Sequence, residues 1–186
     1  MRASSAGVAQ RKRTEAARRR AAPPRERAVA PGTATPDERA VSVLVCRLPG
    51  TGDLPPPTYA TAGSAGADLA ASIDAPIVIG PGETASLGTG IRIALPDGYE
   101  AEIRPRSGLA ARHGLSLLNA PGTIDADYRG EIRILLVNLG RETVTVRRGD
   151  RIAQMLIRPV LRARFEEAEE LPETSRGKGG FGHTGV

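Results

Sequence analysis

Asp125 and Asp127 stand two residues apart, with Tyr128 beside them, in the stretch Asn119-Ala-Pro-Gly-Thr-Ile-Asp-Ala-Asp-Tyr-Arg-Gly-Glu131. Residues two apart on an extended chain share a face, so these carboxylates can be paired. A solvated polar turn accounts for the same letters. In Arg104-Pro-Arg-Ser-Gly-Leu-Ala110, proline ends a strand and Ser-Gly opens a short helix. Free amides at such a start, with a hydroxyl and a glycine beside them, suit an anion. A plain serine cap next to surface arginines explains it equally well. In Ser175-Arg-Gly-Lys-Gly-Gly-Phe-Gly-His-Thr184, glycine backbone with Arg176 and Lys178 suits a polyphosphate, although flexible polar termini have this composition too. Phe181 adds to that signal. The chain has 2 Phe, 3 Tyr and no Trp, and a ring placed where no core can use it argues for stacking on something planar. Asp68, in Ser64-Ala-Gly-Ala-Asp-Leu69, and Gln154, in Gly149-Asp-Arg-Ile-Ala-Gln154, are polar groups on strand starts. Either can be structural, Asp68 by bonding local backbone amides.

Short strands must position these groups. Tyr99–Arg104 alternates apolar and charged residues with period two, which predicts one buried face. Val41–Val45, Glu131–Val137, Thr143–Val146 and Ile152–Ile157 continue the pattern, and Asn119–Glu131 then spans a wide hairpin. Turns fall at Pro81-Gly82, Pro96-Asp97-Gly98 and Arg148-Gly149-Asp150. Only Ser107–Arg112 reads as a helix. Many short strands with regular turns predict an all-β fold, a compact barrel or jelly roll.

The bulk properties limit the chemistry. One cysteine, Cys46, excludes an internal disulfide and a cysteine-based zinc site, and two histidines, His113 and His183, make a histidine-rich metal site unexpected. No apolar run approaches a membrane span, and the basic N-terminus is not followed by an apolar stretch of the kind a signal peptide needs. The expectation is a soluble, cytoplasmic protein. The net charge of +5 is uneven: residues 1–40 carry +6 and the remainder −1. The expected organisation is a disordered basic tail over 1–38, a domain over 39–171 and a mobile glycine-rich arm over 172–186. The tail reads as a solvated extension, an overlong start, a nucleic-acid-binding arm or an organelle transit segment. Any nucleic-acid contact is expected through it alone.

Taken in order, AGADL (65–69), PRSGLA (105–110), GTIDADYRGEI (122–132), GDRIAQ (149–154) and SRGKGGFGHTG (175–185) resemble the five collinear motifs of the homotrimeric dUTPase family. The resemblance covers about residues 41–186. It implies a jelly-roll-like β-barrel with one short helix and a flexible C-terminal arm, three chains sharing three active sites, and hydrolysis of dUTP to dUMP and pyrophosphate with Mg²⁺. By the same resemblance Asp125 matches the carboxylate that activates water, and Tyr128 the aromatic beneath the deoxyribose. Asn119 and the backbone at Thr123 and Ile124 match the uracil-reading hairpin, with Arg133 also matched to a substrate contact. Arg106, Ser107, Gly108 and Gln154 match phosphate contacts, and Asp68 the residue that holds hydrated Mg²⁺ through water. Arg176, Phe181 and Gly182 match the arm, whose arginine meets the γ-phosphate and whose ring stacks on uracil. The pattern departs at His183, where the family commonly has serine, so that hydroxyl contact does not carry over; Thr184 remains.

Two other functions fit the same barrel. A dCTP deaminase shares the fold but needs a different polar set around the pyrimidine amino group. A non-catalytic nucleotide sensor or protein-binding module would have no need of Asp125, Arg176 and Phe181 together.

Overall fold

The computed structural model describes residues 40–180. The expectations for the 1–38 tail, and for Phe181, Gly182, His183 and Thr184, fall outside the described residues. Twelve strands and one helix follow in order: β1 (Leu44–Arg47), β2 (Thr58–Tyr59), β3 (Ala67–Ala70), β4 (Ile77–Ile79), β5 (Thr84–Gly88), β6 (Ile91–Ala94) and β7 (Tyr99–Arg104). Then come α1 (Ser107–His113), β8 (Leu115–Leu117), β9 (Gly122–Ile124), β10 (Arg133–Asn138), β11 (Val144–Val146) and β12 (Arg151–Pro159). Among the described residues this is an all-β fold with a single short helix. No described helix is long and apolar enough to cross a membrane.

Every pairing is antiparallel. The strands form a five-stranded ladder β2-β3-β12-β7-β9, a three-stranded ladder β5-β10-β8, and the pairs β1-β6 and β11-β4. Alternate residues of these ladders converge on one aliphatic core: Leu69, Leu87, Ile103, Leu115, Ile132, Ile134, Leu136 and Ile152 are all nearly or fully excluded from solvent. The core has no aromatic member, as the composition requires. The turn glycines Gly82, Gly98 and Gly149 all sit at positive φ (77°, 80° and 83°), a region open to glycine at no steric cost.

Two strands differ from the sequence pattern. The first begins at Leu44 and not at Val41, because its partner β6 ends at Ala94, opposite Leu44. Two residues further on stands Pro96, where a ladder donor is lost. In β7, Ala101, Glu102 and Ile103 are all buried, so the strand is covered on both faces at its middle. Glu102 is buried on the outer face because it accepts hydrogen bonds from Arg104 Nε and from Arg158 Nη1, the latter at 3.2 Å. The Arg104 guanidinium holds the Glu102 carboxyl below its usual range.

Polar ties close the remaining gaps. Asn138, fully buried, donates through Nδ2 to Ile79 O at 2.9 Å and Glu142 O at 2.8 Å, and accepts from Gly140 N at 2.9 Å. Leaving such groups unpaired in a core costs about 1–3 kcal/mol each. Arg148 clamps the loop before β2 to the β11–β12 turn: its Nε and Nη2 donate to Asp53 at 2.9 and 2.8 Å, and Nη2 also donates to Gly50 O at 2.7 Å.

The hydrogen bond from Arg148 lowers the Asp53 pKa from 3.8 to about 2. A carboxyl whose folded pKa is depressed stabilises the fold above its unfolded value and loses that contribution as pH falls through the folded one. Asp53→Asn is therefore expected to melt below the parent protein near neutral pH. The gap should close on acidification from 3.8 towards 2 and shrink with salt, since the pair is exposed. Thermal melts against pH check this; a gap that does not change with pH contradicts it.

Candidate active site

The outer face of the five-stranded ladder brings three distant segments together. Asp68 of β3 lies opposite Gln154 of β12, and Gln154 lies opposite Arg104 of β7. A register irregularity between Arg151 and Ala153 sets this alignment, as bulges do where a side chain must be re-aimed. Where β7 ends, Pro105 stops the ladder and α1 begins at Ser107, so Arg106, Ser107 and Gly108 stand at the same edge. Together with Asp68, Arg104 and Gln154 they line a cleft of about 370 Å³. Ser107 and Gly108 are exposed in it.

Charged hydrogen bonds hold the cleft in shape. Arg106 Nε donates to Asp68 Oδ1 at 2.8 Å, and Arg151 Nη1 donates to Asp68 Oδ2 at 2.9 Å. Arg106 Nη1 also reaches Arg151 O at 3.3 Å, and Gln154 Nε2 donates to Pro105 O at 3.0 Å. Asp68 thus pairs with two arginines instead of local amides. Gly66 explains itself here: a Cβ at that position would meet Gln154 Oε1 at 2.8 Å and Leu156 Cδ1 at 3.2 Å. Only a glycine lets this backbone approach so closely.

The carboxylate-bearing loop is built on a different principle. β8 and β10 form a hairpin, with Leu117 opposite Leu136, and the chain between them makes a long excursion. Leu118–Ala120 lead through a cis Ala120–Pro121 bond into β9, which leaves its own hairpin and lies along β7, Gly122 against Ile103 and Ile124 against Ala101. A turn then closes from Tyr128 N to Asp125 O at 3.1 Å. Arg129 Nη1 braces it on Ala126 O and Tyr128 O at 2.6 and 2.8 Å, and Tyr128 Oη donates to Glu131 O at 3.1 Å. Ala126 packs inward, which leaves Asp125 and Asp127 exposed on either side of it. The Tyr128 ring is 44% exposed and lies over Gly130, where a Cβ would collide with its Oη and Cζ.

The two groups do not meet within one chain. Asp125 opens on a space of about 780 Å³ lined also by Asp97, Tyr99, Glu100, Asp127 and Arg162, at the start of β7. The cleft of Arg104, Arg106 and Ser107 lies at its end, five residue steps or roughly 17 Å along an extended strand. The first space is acidic and the second is basic.

Among the other expected contacts, Asn119 and Thr123 are exposed on the excursion and Ile124 is half-buried. Arg133 is turned away from both spaces: its Nε and Nη2 donate to Ser86 at 3.1 and 2.9 Å, and its Nη1 to Glu131 Oε2 at 3.1 Å. Arg176 is exposed and donates from Nε to Gly179 O at 2.8 Å. Sequence reasoning passed over Arg104, which lines the basic cleft, and Arg151, which pairs with its Asp68. Arg151 stands inside the Gly149–Gln154 stretch and was legible there. Arg104 becomes visible only through its register with Gln154.

Among the described residues no three His, Cys, Asp or Glu side chains cluster as metal ligands. Asp68 is the one carboxylate of the basic cleft, and both of its oxygens are held by guanidinium groups. This donor set does not fit direct ligation. It fits an outer contact, through water, to a cation whose inner ligands are phosphate oxygens, as Mg²⁺ commonly takes them.

A protein-family model for dUTPase matches residues 53–185. The deoxyuridine 5'-triphosphate nucleotidohydrolase of Desulfotalea psychrophila is 58% identical over 130 residues, which is 70% of this chain and 87% of that protein. Among solved structures, a mutant dUTPase of Staphylococcus bacteriophage 80alpha with dUpNHpp superposes with a TM-score of 0.69 at 24% identity, covering 78% of this chain and 99% of that one. The dUTPase of phage phi11 of S. aureus gives a TM-score of 0.62 at 23% identity, covering 72% and 99%. At such identities these two structures show the fold, while the sequence relative and the matched span show the kinship: the chain belongs to the dUTPase family.

Proposed function

We propose that this chain hydrolyses dUTP to dUMP and pyrophosphate, by attack of water on the α-phosphate, at sites composed from different copies of the chain. The observation that carries the reading is the separation just described. A basic cleft with Arg104, Arg106, Ser107 and Gly108 lies at one end of β7, and the exposed Asp125 carboxylate lies towards the other, with β9 running along β7 between them. A homotrimer in which the end of one chain meets the start of the next closes such a heterologous contact into a ring. Val160, Leu161, Phe165 and Leu171 support this, because they are 38%, 97%, 93% and 85% exposed on a segment with no helix or strand. Large apolar side chains left bare in one chain favour cover by another.

In this reading Asp125 accepts a proton from the attacking water and keeps the hydroxide aimed at phosphorus. Ser107, the Gly108 amide and Gln154 hold the phosphates, with Arg106 opposing their charge. Asn119 and the backbone at Thr123 and Ile124 pair with uracil, and their close approach leaves no room for a 5-methyl group. Tyr128 packs beneath the deoxyribose where a 2′-hydroxyl would clash. Arg176 meets the γ-phosphate, and Phe181 with Gly182 closes over the base and excludes water. Asp68 would hold hydrated Mg²⁺ through water, and the bound ion supplies neutralisation of the triphosphate. The functional unit is residues 39–186, with the 1–38 tail outside catalysis. In the same reading the enzyme acts on the nucleotide pool of the cytoplasm.

The experiment is to incubate the full chain with dUTP and Mg²⁺ and quantify dUMP and pyrophosphate, with dCTP and an ammonia assay in parallel. Equal amounts of dUMP and pyrophosphate are expected. Ammonia from dCTP would make it a deaminase, and nucleotide binding without turnover a sensor.

A further inference from the structure

The reading above gives no role to Arg104, whose guanidinium lines the basic cleft. Arg104 stands opposite Gln154 in register and lines the cleft beside Ser107 and Gly108. Arg106 spends its Nε and Nη2 on Asp68 and its Nη1 on Arg151 O, so it is not the cleft's freest cation. Arg104 is bound differently. Its Nε donates to Glu102, whose carboxylate also accepts from Arg158 Nη1. The Glu102 side chain is 12% exposed, while those of Arg104 and Arg158 are 41% and 49% exposed. One carboxylate lies behind and two guanidiniums lie in front, a group carrying net +1. A triphosphate brings several negative charges, and unpaired N–H donors in a cleft of this sign are placed to meet them.

We infer that Arg104 is a further phosphate-contacting residue of this cleft, and that Glu102 is the positioning residue that holds its guanidinium there. The inference rests on the dUTP-hydrolysing reading above and assigns a contact within that site. Arg158 serves as the second partner of Glu102, so removing Arg104 does not leave a buried carboxylate alone. That makes the cleft's charge separable from its fold.

The test uses full-length protein with Mg²⁺ and compares Arg104→Met, Arg104→Lys and Glu102→Gln with the parent chain. Binding of dUMP, dUDP and the imido analogue of dUTP is measured by calorimetry, beside kcat, KM and thermal melts. Arg104→Met is expected to weaken the triphosphate analogue about tenfold, as the loss of one charge-assisted hydrogen bond does. dUDP should lose less and dUMP almost nothing. Lysine should recover most of the loss, and Glu102→Gln should lie between methionine and the parent. The KM for dUTP should rise more than kcat falls. Equal losses for all three nucleotides, or none for the triphosphate, would overturn the assignment, as would a methionine variant whose only change is a lower melt. If the parent chain itself fails to turn over dUTP, the function is wrong; if it turns over and Arg104→Met matches it, only Arg104 is.

Discussion

Asp125→Asn is expected to keep the assembly and the binding of dUTP while lowering kcat by roughly 10²–10⁴-fold, the usual range for loss of a positioned general base. The amide has the shape of the carboxylate but cannot take a proton. Asp125 is exposed and contributes its backbone carbonyl, not its side chain, to the turn that holds Tyr128. The substitution therefore leaves the loop's own hydrogen bonds in place. Because binding survives, KM should change far less than kcat, which is the pattern of an interaction made in the transition state. Asp127→Asn is the control: it alters the neighbouring charge and should leave most of the turnover. Steady-state kinetics on both variants decide. Near-normal kcat in Asp125→Asn removes the residue from the role, and equal damage from both would mean that only the loop's charge matters.

Removing residues 174–186 is expected to retain the fold and to reduce turnover to a small fraction of the parent's. The last strand among the described residues ends at Pro159, so the ladders described above include no residue of the deleted stretch. The stretch holds five glycines in its last ten residues, and ordering a glycine-rich chain costs conformational entropy. Arg176 and Phe181 leave together, and with them the proposed γ-phosphate and stacking contacts. Phe181→Ala alone should be milder, at the lower end of about 1–3 kcal/mol for one base–aromatic stack. Arg176→Ala should fall between the two, since the charge helps hold the phosphates in a reactive pose. Kinetics beside thermal melts check the order. A truncated protein that hydrolyses dUTP as fast as the parent would show that the glycine-rich end has no part in closing the site.

Much of the candidate site could be proposed from letters alone, because its parts are contiguous. The two carboxylates with Tyr128, the Pro-Arg-Ser-Gly break at a strand end and Gln154 after a tight turn each carry their chemistry within a few residues. The strand periods of β7, β10 and β12 were visible for the same reason. What was hidden depends on register between segments far apart in the chain. Asp68 reads as a polar residue near local amides until β3 and β12 are paired and Arg106 and Arg151 close on it. Glu102 reads as a solvent-facing member of an alternating strand until Arg158, 56 residues on, buries it. Gly122-Thr-Ile reads as loop because its partner is β7 and not its neighbours in sequence. Arg133 looks like a member of the substrate loop, yet its guanidinium is drawn across to Ser86 on β5.

The division of labour between the two ends of β7 can be tested by mixing chains. Ser107→Asp places a carboxylate at the proposed phosphate position, which is exposed, and Asp125→Asn removes the proposed base. Each variant alone should be almost inactive towards dUTP. Co-expressed or refolded together, they are expected to form mixed trimers in which some sites join the intact cleft of one chain to the intact Asp125 of another. Random assembly predicts recovery of about a quarter of the parent activity. No recovery, in mixtures shown to exchange subunits, would mean that cleft and base serve a site within a single chain and that the shared-site account is wrong.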